Sequence, residues 1–523
     1  MDHTRPLGGQ LSAVLDTLPT ILFPAAVGGA LASLERGQHA LRRARVGEAI
    51  VLDSLPAHLT AALLGTRGQC APLARAALEG RPVAFYVGKT LCAPYESTPP
   101  EVSREVVGWS LTGVATPVVG IAGARSAVVL AHTMDGTRQA VLLDLDEEVT
   151  DPIISAARPI AADALLGSPD DGFDAAVTAL EITTVLAGGR HLAAMDSALR
   201  HGFEADPRDP DAGWELAAAT GETVVLDLLC RTVCRLVALD PSSLGMACAI
   251  LARVATDLST RQTARVARVL GPREMLTSDA GEEVRRLTLD HLATDLLGGD
   301  LLADPRTIAL HVGAYARIID DHGNDPGGAS DPRARVIFDL TAALPDLDLA
   351  ALAAAQAGRR IPTSDPVVTD APRTLSLVLD RLDADPSASA EEVGRLAELV
   401  LDRLRDTVVT MGELASPGAV PGPPATWGER IGLADRFSWL YAAAAALHLF
   451  HHSHGAPLYG EPPGSTRWLR ATLAYLLARA DARDPVTARE HIAPLLATGR
   501  AFADAKRSVT IGSRLLSGKG GRA

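Results

Sequence analysis

The chain has 523 residues, is 47% hydrophobic but only 4% aromatic, and carries a formal net charge of −14. That length exceeds one compact core and sets an expectation of roughly two to four domains. The acidic balance excludes a general nucleic-acid binder, whose phosphate contacts need a basic surface. The apolar content is mainly Ala, Leu and Val, which favours closely packed helices.

Residues 1–80 read as short helices over Leu11 to Leu18, Ser33 to Val46, Leu59 to Leu64 and Pro72 to Leu78, with Gly65 and Gly80 as C-cap signals. The stretch Pro24 to Gly29 interrupts them. A strand is expected over Val83 to Val87, and Thr90 to Glu105, with Pro94, Pro99 and Pro100, reads as loop. Val106 to Asp146 is the clear block of β-structure. Trp109, Leu111 and Gly113 alternate with Ser110 and Thr112, Ala127 to Ala131 is a short apolar run, and Asp135-Gly136 is a hairpin signal ahead of Ala140 to Leu145. Beyond Pro152 and Pro159 helical periodicity returns.

Phe173 to Leu199, Gly221 to Leu239, Ser243 to Leu258 and Arg261 to Leu270 supply an antiparallel four-helix bundle. Asp320 to Arg335 reads as a polar linker. Helices are then expected over Val336 to Ala343, Leu347 to Ala357, Thr374 to Leu382 and Ala390 to Met411. Ser416 to Thr426 reads as an extended linker, Ile431 to Phe450 and Thr466 to Ala480 as strong helices, and Ser517 to Ala523 as a disordered tail. The domains expected are 1–80, 81–165, 166–315 and 336–523.

Cys70, Cys92, Cys230, Cys234 and Cys248 form an odd, sparse set, as a reducing compartment leaves. Cys230 and Cys234 share a helix face and read as buried small hydrophobes. The N-terminus lacks a basic region followed by an apolar run, and no window offers about 18 uninterrupted apolar residues, so a cytoplasmic protein with no membrane span is expected. His448, His451, His452 and His454 invite a metal reading, with His448 and His452 one helical turn apart. No acidic or Cys ligand stands nearby, and His is favourable at a helix C-terminus, so no metal is expected. Gly518-Lys519-Gly520-Gly521 is no P-loop, and Leu41 to Arg45 reads as a solvated basic face.

The order of these parts resembles the acyl-CoA dehydrogenase family. Pro24 to Gly29 matches its "P-x-x-x-GG" loop, Gly65-Thr66 its "GT" turn, and Leu73 to Gly80 the helix before its first strand. Trp109, Leu111-Thr112-Gly113 and Leu142 to Asp146 follow the frame of its middle β-domain. Leu180-Glu181 and Leu186 to Gly189 resemble its first C-terminal-domain helix, Phe203 and Arg208 its "Y-x-x-x-R" with the spacing one residue longer, Val269 to Arg273 its "Q-x-x-GG-x-G" loop, Leu289-Asp290 its "RD", and Leu297 to Asp300 its "Y-E-G-T". The likeness covers about residues 20–315, and the remainder is similar to the extra C-terminal domain of very-long-chain acyl-CoA dehydrogenases and acyl-CoA oxidases. It implies a mostly helical α+β fold: an N-terminal helical domain, a middle β-barrel-like domain, a C-terminal four-helix bundle and an additional helical domain. It also implies FAD-dependent α,β-desaturation of an acyl thioester, carried on CoA or a carrier protein, in paired subunits that complete each flavin site. That chemistry needs a carboxylate to take the α proton, a polarised thioester carbonyl and a flavin held over the bond.

The residues at the matching positions depart from the pattern. Ala115 stands at the family Lys, Pro117 at the Trp that packs on the ring, Val119 at the Thr and Gly120 at the Asn. Gly88 and Lys89 replace the Thr and Glu of "F-A-L-T-E". The cofactor-facing positions implied are thus Gly88, Val119, Gly120 and Arg208. Gly298 stands where the usual catalytic Glu would be, Asp295 and Asp300 flank that loop, and Glu204 is the acid nearest the alternative base position on the first C-terminal-domain helix. Three functions follow: a diverged acyl-CoA dehydrogenase; a non-catalytic structural partner, homo- or hetero-oligomeric, of an active paralogue; and a flavin-dependent monooxygenase, which needs flavin but no α-proton base.

Overall fold

The computed structural model describes residues 21–25, 29–44, 50–79, 81–87, 100–106, 108–119, 124–145, 153–205, 210–297, 331–356, 365–383, 387–415 and 424–510, with a few positions between 305 and 312. They fall into two compact units. The first takes residues up to 190 with 293–300 and 346–360; the second takes 191–292, 301–345 and 361 onward.

In the first unit, α1 (Leu34–Arg43) is capped by Ser33, whose Oγ accepts the Arg36 N–H at 3.1 Å, and Glu35 and Arg42–Arg43 suit the two ends of its dipole. α2 (Ile50–Leu64) begins well before the predicted Leu59 and accommodates Pro56. Gly65-Thr66 then turns the chain into α3 (Arg67–Leu78), where Thr66 and Gln69 form a capping box. His58 of α2 is wholly buried, stacks on Phe23 at 4.1 Å and places Nε2 3.2 Å from the Leu73 carbonyl of α3.

Among the described residues seven strands follow: β1 (Val83–Val87), β2 (Glu101–Glu105), β3 (Gly108–Val119), β4 (Ser126–Thr133), β5 (Arg138–Asp144), β6 (Ile153–Ile160) and β7 (Leu165–Leu166). Their order is β1-β3-β2-β4-β5-β7, with β6 on β3. β1 and β2 each pair antiparallel with β3 and parallel with β4, so the sheet curls around Ala84, Tyr86, Val102, Leu111, Val129 and Val141. Val83 and Phe85 point to the other face by the two-residue period, and they are buried because α2 packs on β1. Gly136 takes φ 84° at the predicted hairpin, and Asp135 Oδ1 accepts from the Thr137 hydroxyl at 3.1 Å. Two strands correct the sequence reading. β2 lies in the stretch read as loop. β6 contains Pro159, which is tolerated because among the described residues β6 pairs with β3 alone and so lies at an edge.

α4 (Asp171–Glu204) runs from the first unit, through Arg190, into the second. Two glycines allow α1 to approach it closely. A Cβ on Gly189 would stand 2.2 Å from the Gln38 carbonyl oxygen, and one on Gly37 would stand 2.6 Å from Leu186. Gly189→Ala is therefore expected to push α1 off α4 and cost about 1–3 kcal/mol, read as a lower urea midpoint at unchanged slope.

The second unit continues with α5 (Pro210–Leu239), a turn at Pro241–Ser243, α6 (Leu244–Thr277) and α7 (Asp279–Leu297) up to Leu292, residues 293–297 belonging to the first unit. The two helices predicted over Ser243 to Leu270 are one. Ser259 and Thr263 do not interrupt it, because their hydroxyls bond back to carbonyls of the preceding turn. The predicted Val269–Arg273 loop is a kink at Gly271, φ 74° and ψ 166°, followed by Pro272. α8 (Pro332–Phe338), α9 (Leu349–Gln356, in the first unit), the single turn α10 (Pro366–Thr369), α11 (Ala371–Leu382), α12 (Ala388–Ala415), α13 (Pro424–Ser453), α14 (Arg467–Ala480) and α15 (Arg489–Asp504) complete the chain. α13 starts inside the stretch read as an extended linker, with Pro424 as its first residue. α15 was not anticipated.

α5 is the axis of this unit. From Leu216 to Val237 nearly every residue is buried, against α6 on one side and α8, α13, α14 and α15 on others. A helix buried all round must be covered all round. Its buried charged residues are Glu222, Asp227 and Arg235. The Arg235 guanidinium donates to the carbonyls of Ile337, Val336, Asp339 and Ala342 at 2.7, 2.8, 2.9 and 3.1 Å, closing the C-terminal end of α8.

Candidate functional site

Glu204 ends α4. Its carboxylate is 59% exposed and lies 3.4 Å from His201 Nδ1, a turn earlier on the same helix, which is the setting of a solvated side chain rather than of a desolvated base. Val119 closes β3 opposite Phe85. Asp295 lies in the last turn of α7. Gly88, Gly120, Arg208, Gly298 and Asp300 lie outside the described residues.

The second unit gathers a different set of ionisable groups. Arg265 on α6 is buried and answers three carboxylates: Glu222 of α5 at 2.8 Å, Glu215 of α5 at 2.7 Å, and Asp484, ahead of α15, at 2.8 Å. Tyr475 of α14 donates its hydroxyl to Glu222 Oε1 at 3.2 Å. Nearby, Arg479 pairs with Asp257 at 2.7 Å and lies over the Trp439 ring at 4.6 Å. Burial pushes the Glu222 carboxyl up to about 7, against the pull of Arg265. Burial also pushes at Glu215, but the Arg268 and Arg265 hydrogen bonds hold it below its ordinary value. The Tyr475 phenol is driven upward by burial and then by Glu222. The network joins α5 and α6 to the C-terminal helices. Its sequence signal was Glu222, an acid inside the apolar run Ala217 to Leu229.

The sign of Glu222's pH effect follows from linkage. Its folded pKa, about 7, lies above the model-peptide value of 4.5, so the folded state holds its proton more tightly. This contribution is fully present below about 4.5 and is lost as pH rises through about 7. Glu222→Gln is expected to flatten the melting-temperature profile over that window, as thermal unfolding followed by circular dichroism would show.

Other buried polar groups are structural. Asp365 accepts the Val367 N–H at 2.9 Å and the Tyr441 hydroxyl at 3.2 Å, and burial raises its carboxyl to about 7. His448, the first of the histidine run, places Nε2 3.1 Å from the Val367 carbonyl and Nδ1 2.9 Å from the Thr374 hydroxyl. The carbonyl can only accept, so Nε2 carries the hydrogen and Nδ1 receives the hydroxyl's. Both nitrogens are thereby committed to protein. His191 of α4 and His291 of α7 meet at 3.1 Å between their Nδ1 atoms, which requires one to donate and the other to accept. Among the described residues no group of three or more His, Cys, Asp or Glu could hold a metal, and no helix is long and apolar enough to cross a membrane. Cys70, Cys230, Cys234 and Cys248 are buried and unbridged.

No family model and no curated protein sequence matches the chain. Solved structures do. The crystal structure of an acyl-CoA dehydrogenase complexed with FAD from Bacillus anthracis is similar over 95% of this chain and 88% of that one, at 13% identity and a TM-score of 0.59. Butyryl-CoA dehydrogenase from Megasphaera elsdenii is similar over 57% of this chain and 88% of its own, at 15% identity and a TM-score of 0.48. The chain has the acyl-CoA dehydrogenase fold: mostly helical α+β with a curled sheet. The likeness at 95% coverage takes in most of residues 336–523 as well.

Proposed function

We propose that this chain is a degenerate acyl-CoA dehydrogenase-fold protein that serves as the non-catalytic structural partner of an active chain of the same fold. The observation that carries this reading is the composition of β3. Its final residues are committed to strand pairing, Ala115 with Ile153, Pro117 with Tyr86 and Val119 with Phe85. A flavin contact there therefore falls to the side chains, and Ala, Pro and Val offer neither a hydroxyl nor an aromatic ring. On the β1 side, the Tyr86 ring belongs to the core within the sheet. These residues do not fit an isoalloxazine held in the manner of the family, and Gly298 brings no carboxylate to the base position. Glu204, exposed beside His201, lacks the burial that tunes a carboxylate for proton abstraction.

The second reading is a flavin enzyme with a rebuilt site, and it draws on the likeness to the Bacillus anthracis protein, which was crystallised with FAD. Absorbance separates the two. The purified protein is expected to be colourless at about 450 nm, where oxidised flavins absorb, and to take up no added FAD. Co-expressed with an acyl-CoA dehydrogenase-type chain from the same genome, it is expected to form a complex whose flavin content matches that chain alone. One flavin per copy of this protein would overturn the proposal.

A further inference from the structure

Four aspartates converge at the starts of helical turns in the second unit. Asp240 follows α5 and caps the Pro241–Ser243 turn, Asp331 caps α8, Asp365 caps α10, and Asp370 precedes α11. One guanidinium serves two of them. Arg333 donates Nε and Nη2 to Asp331 Oδ2 at 3.1 and 2.7 Å, and Nη1 to Asp240 at 2.7 Å. The Asp331 N–H lies 3.4 Å from the Asp370 carboxylate. Asp365 stands apart from this pairing. It has no exposed surface, and its carboxyl oxygens meet the Val367 N–H at 2.9 Å and the Tyr441 hydroxyl of α13 at 3.2 Å, both neutral groups.

We propose that Asp365 acts as a proton-held clasp, whose neutral carboxyl fastens the start of α10 to α13 and whose ionisation loosens α10 and α11. An ionised carboxylate buried without a cation of its own is unstable, and relieves itself by taking up a proton or by opening to water. The surrounding charges add to this. The end of α5 presents Asp240, α8 presents Asp331 and Arg333, α11 begins with Asp370, and α13 presents Tyr441 and His448. Arg333 already answers two carboxylates. Burial holds His448 neutral, with Nε2 3.1 Å from the Val367 carbonyl. A proton lost from Asp365 therefore sets a further negative charge beside Asp240, whose cation is already shared. Opening would uncover Val367, Val368 and Leu375, all buried in the closed state.

The clasp has a definite pH window. Burial, helped by Asp240 and opposed by the Val367 and Tyr441 hydrogen bonds, holds the carboxyl at about 7, against an ordinary value of 3.8. Its contribution to the closed state is thus fully present below about 4 and is lost as pH rises through about 7. Between those limits the closed state keeps the proton and the open state releases it, so opening becomes up to about tenfold more frequent per pH unit. Above about 7 both states are ionised and the dependence levels off.

Hydrogen exchange of the full-length protein, followed by mass spectrometry and divided by intrinsic exchange rates, tests this at pH 5, 6, 7 and 8. Protection of the amides over residues 367–375 should fall by up to about tenfold per unit from pH 5 to 7 and level off by pH 8. Asp365→Asn, whose amide oxygen can still take the Val367 N–H, should hold that protection flat over the same range. Asp240→Asn removes the like charge, so it should keep the slope but move the levelling point to lower pH. Should Asp365→Asn fail to fold, the Asp240→Asn shift decides. Protection that does not change with pH in the wild type, an unchanged slope in Asp365→Asn, or a levelling point that stays put or rises in Asp240→Asn would each overturn the proposal.

Discussion

Replacing Arg265 with alanine is expected to cost about 3–5 kcal/mol of folding free energy, the loss that follows when one partner of a buried ion pair is removed. The size comes from what is left behind. Glu222 has no exposed surface, and without Arg265 its remaining partner at Oε1 is the Tyr475 hydroxyl. The carboxyl should then take up a proton, moving its already raised pKa higher still. Glu215 keeps Arg268 at 3.0 Å, and Asp484 is half exposed, so these two lose less. Arg265→Lys should not rescue, because an ammonium cannot reach three carboxylates with a planar fork. Arg265→Met with Glu222→Leu should recover most of the loss, because a hydrophobic pair replaces a charge pair without leaving an orphan. Urea unfolding followed by tryptophan fluorescence measures all four proteins. A single-mutant loss below about 1 kcal/mol would put the network on a par with surface pairs.

The second large effect is expected at Arg235. Arg235→Ala withdraws donors from four backbone carbonyls at the end of α8, at a cost of about 3 kcal/mol once partial hydration of those oxygens is allowed for. The loss should be local first. Hydrogen exchange of the amides over residues 336–343 should accelerate before that of α5, whose burial does not depend on this guanidinium. Uniform acceleration across both segments would contradict a capping role.

The parts of this fold that could be read from the sequence are those where local chemistry decides the conformation. Asp135-Gly136 gave the β4–β5 hairpin because few residues tolerate the positive φ found at Gly136. Gly65-Thr66 gave the α2–α3 boundary because Thr66 caps α3. Strand β2, EVSRE, carries no apolar alternation, and it exists because β3 and β4 flank it. The continuity of α6 past Ser259 and Thr263 is hidden because polar residues in an apolar run mimic a break when their hydroxyls in fact bond back within the helix. For the site, the sequence located positions 115, 117 and 119, and the pairing of β3 added that the backbone there serves the sheet. It did not disclose Arg265 or Arg333. A buried or half-buried arginine is indistinguishable from a surface one until its partners, distant in the chain, are known.

The burial of α5 also sets a schedule for making the protein. Part of its cover is α15, which begins at Arg489, some 250 residues after α5 ends at Leu239. At translation rates of roughly 5–20 residues per second, α5 therefore waits on the order of 10–50 s with an apolar flank open to water. During that interval the nascent chain should be a chaperone client, and ribosome-stalled chains ending before residue 480 should be cut within α5 by a protease that spares the released protein.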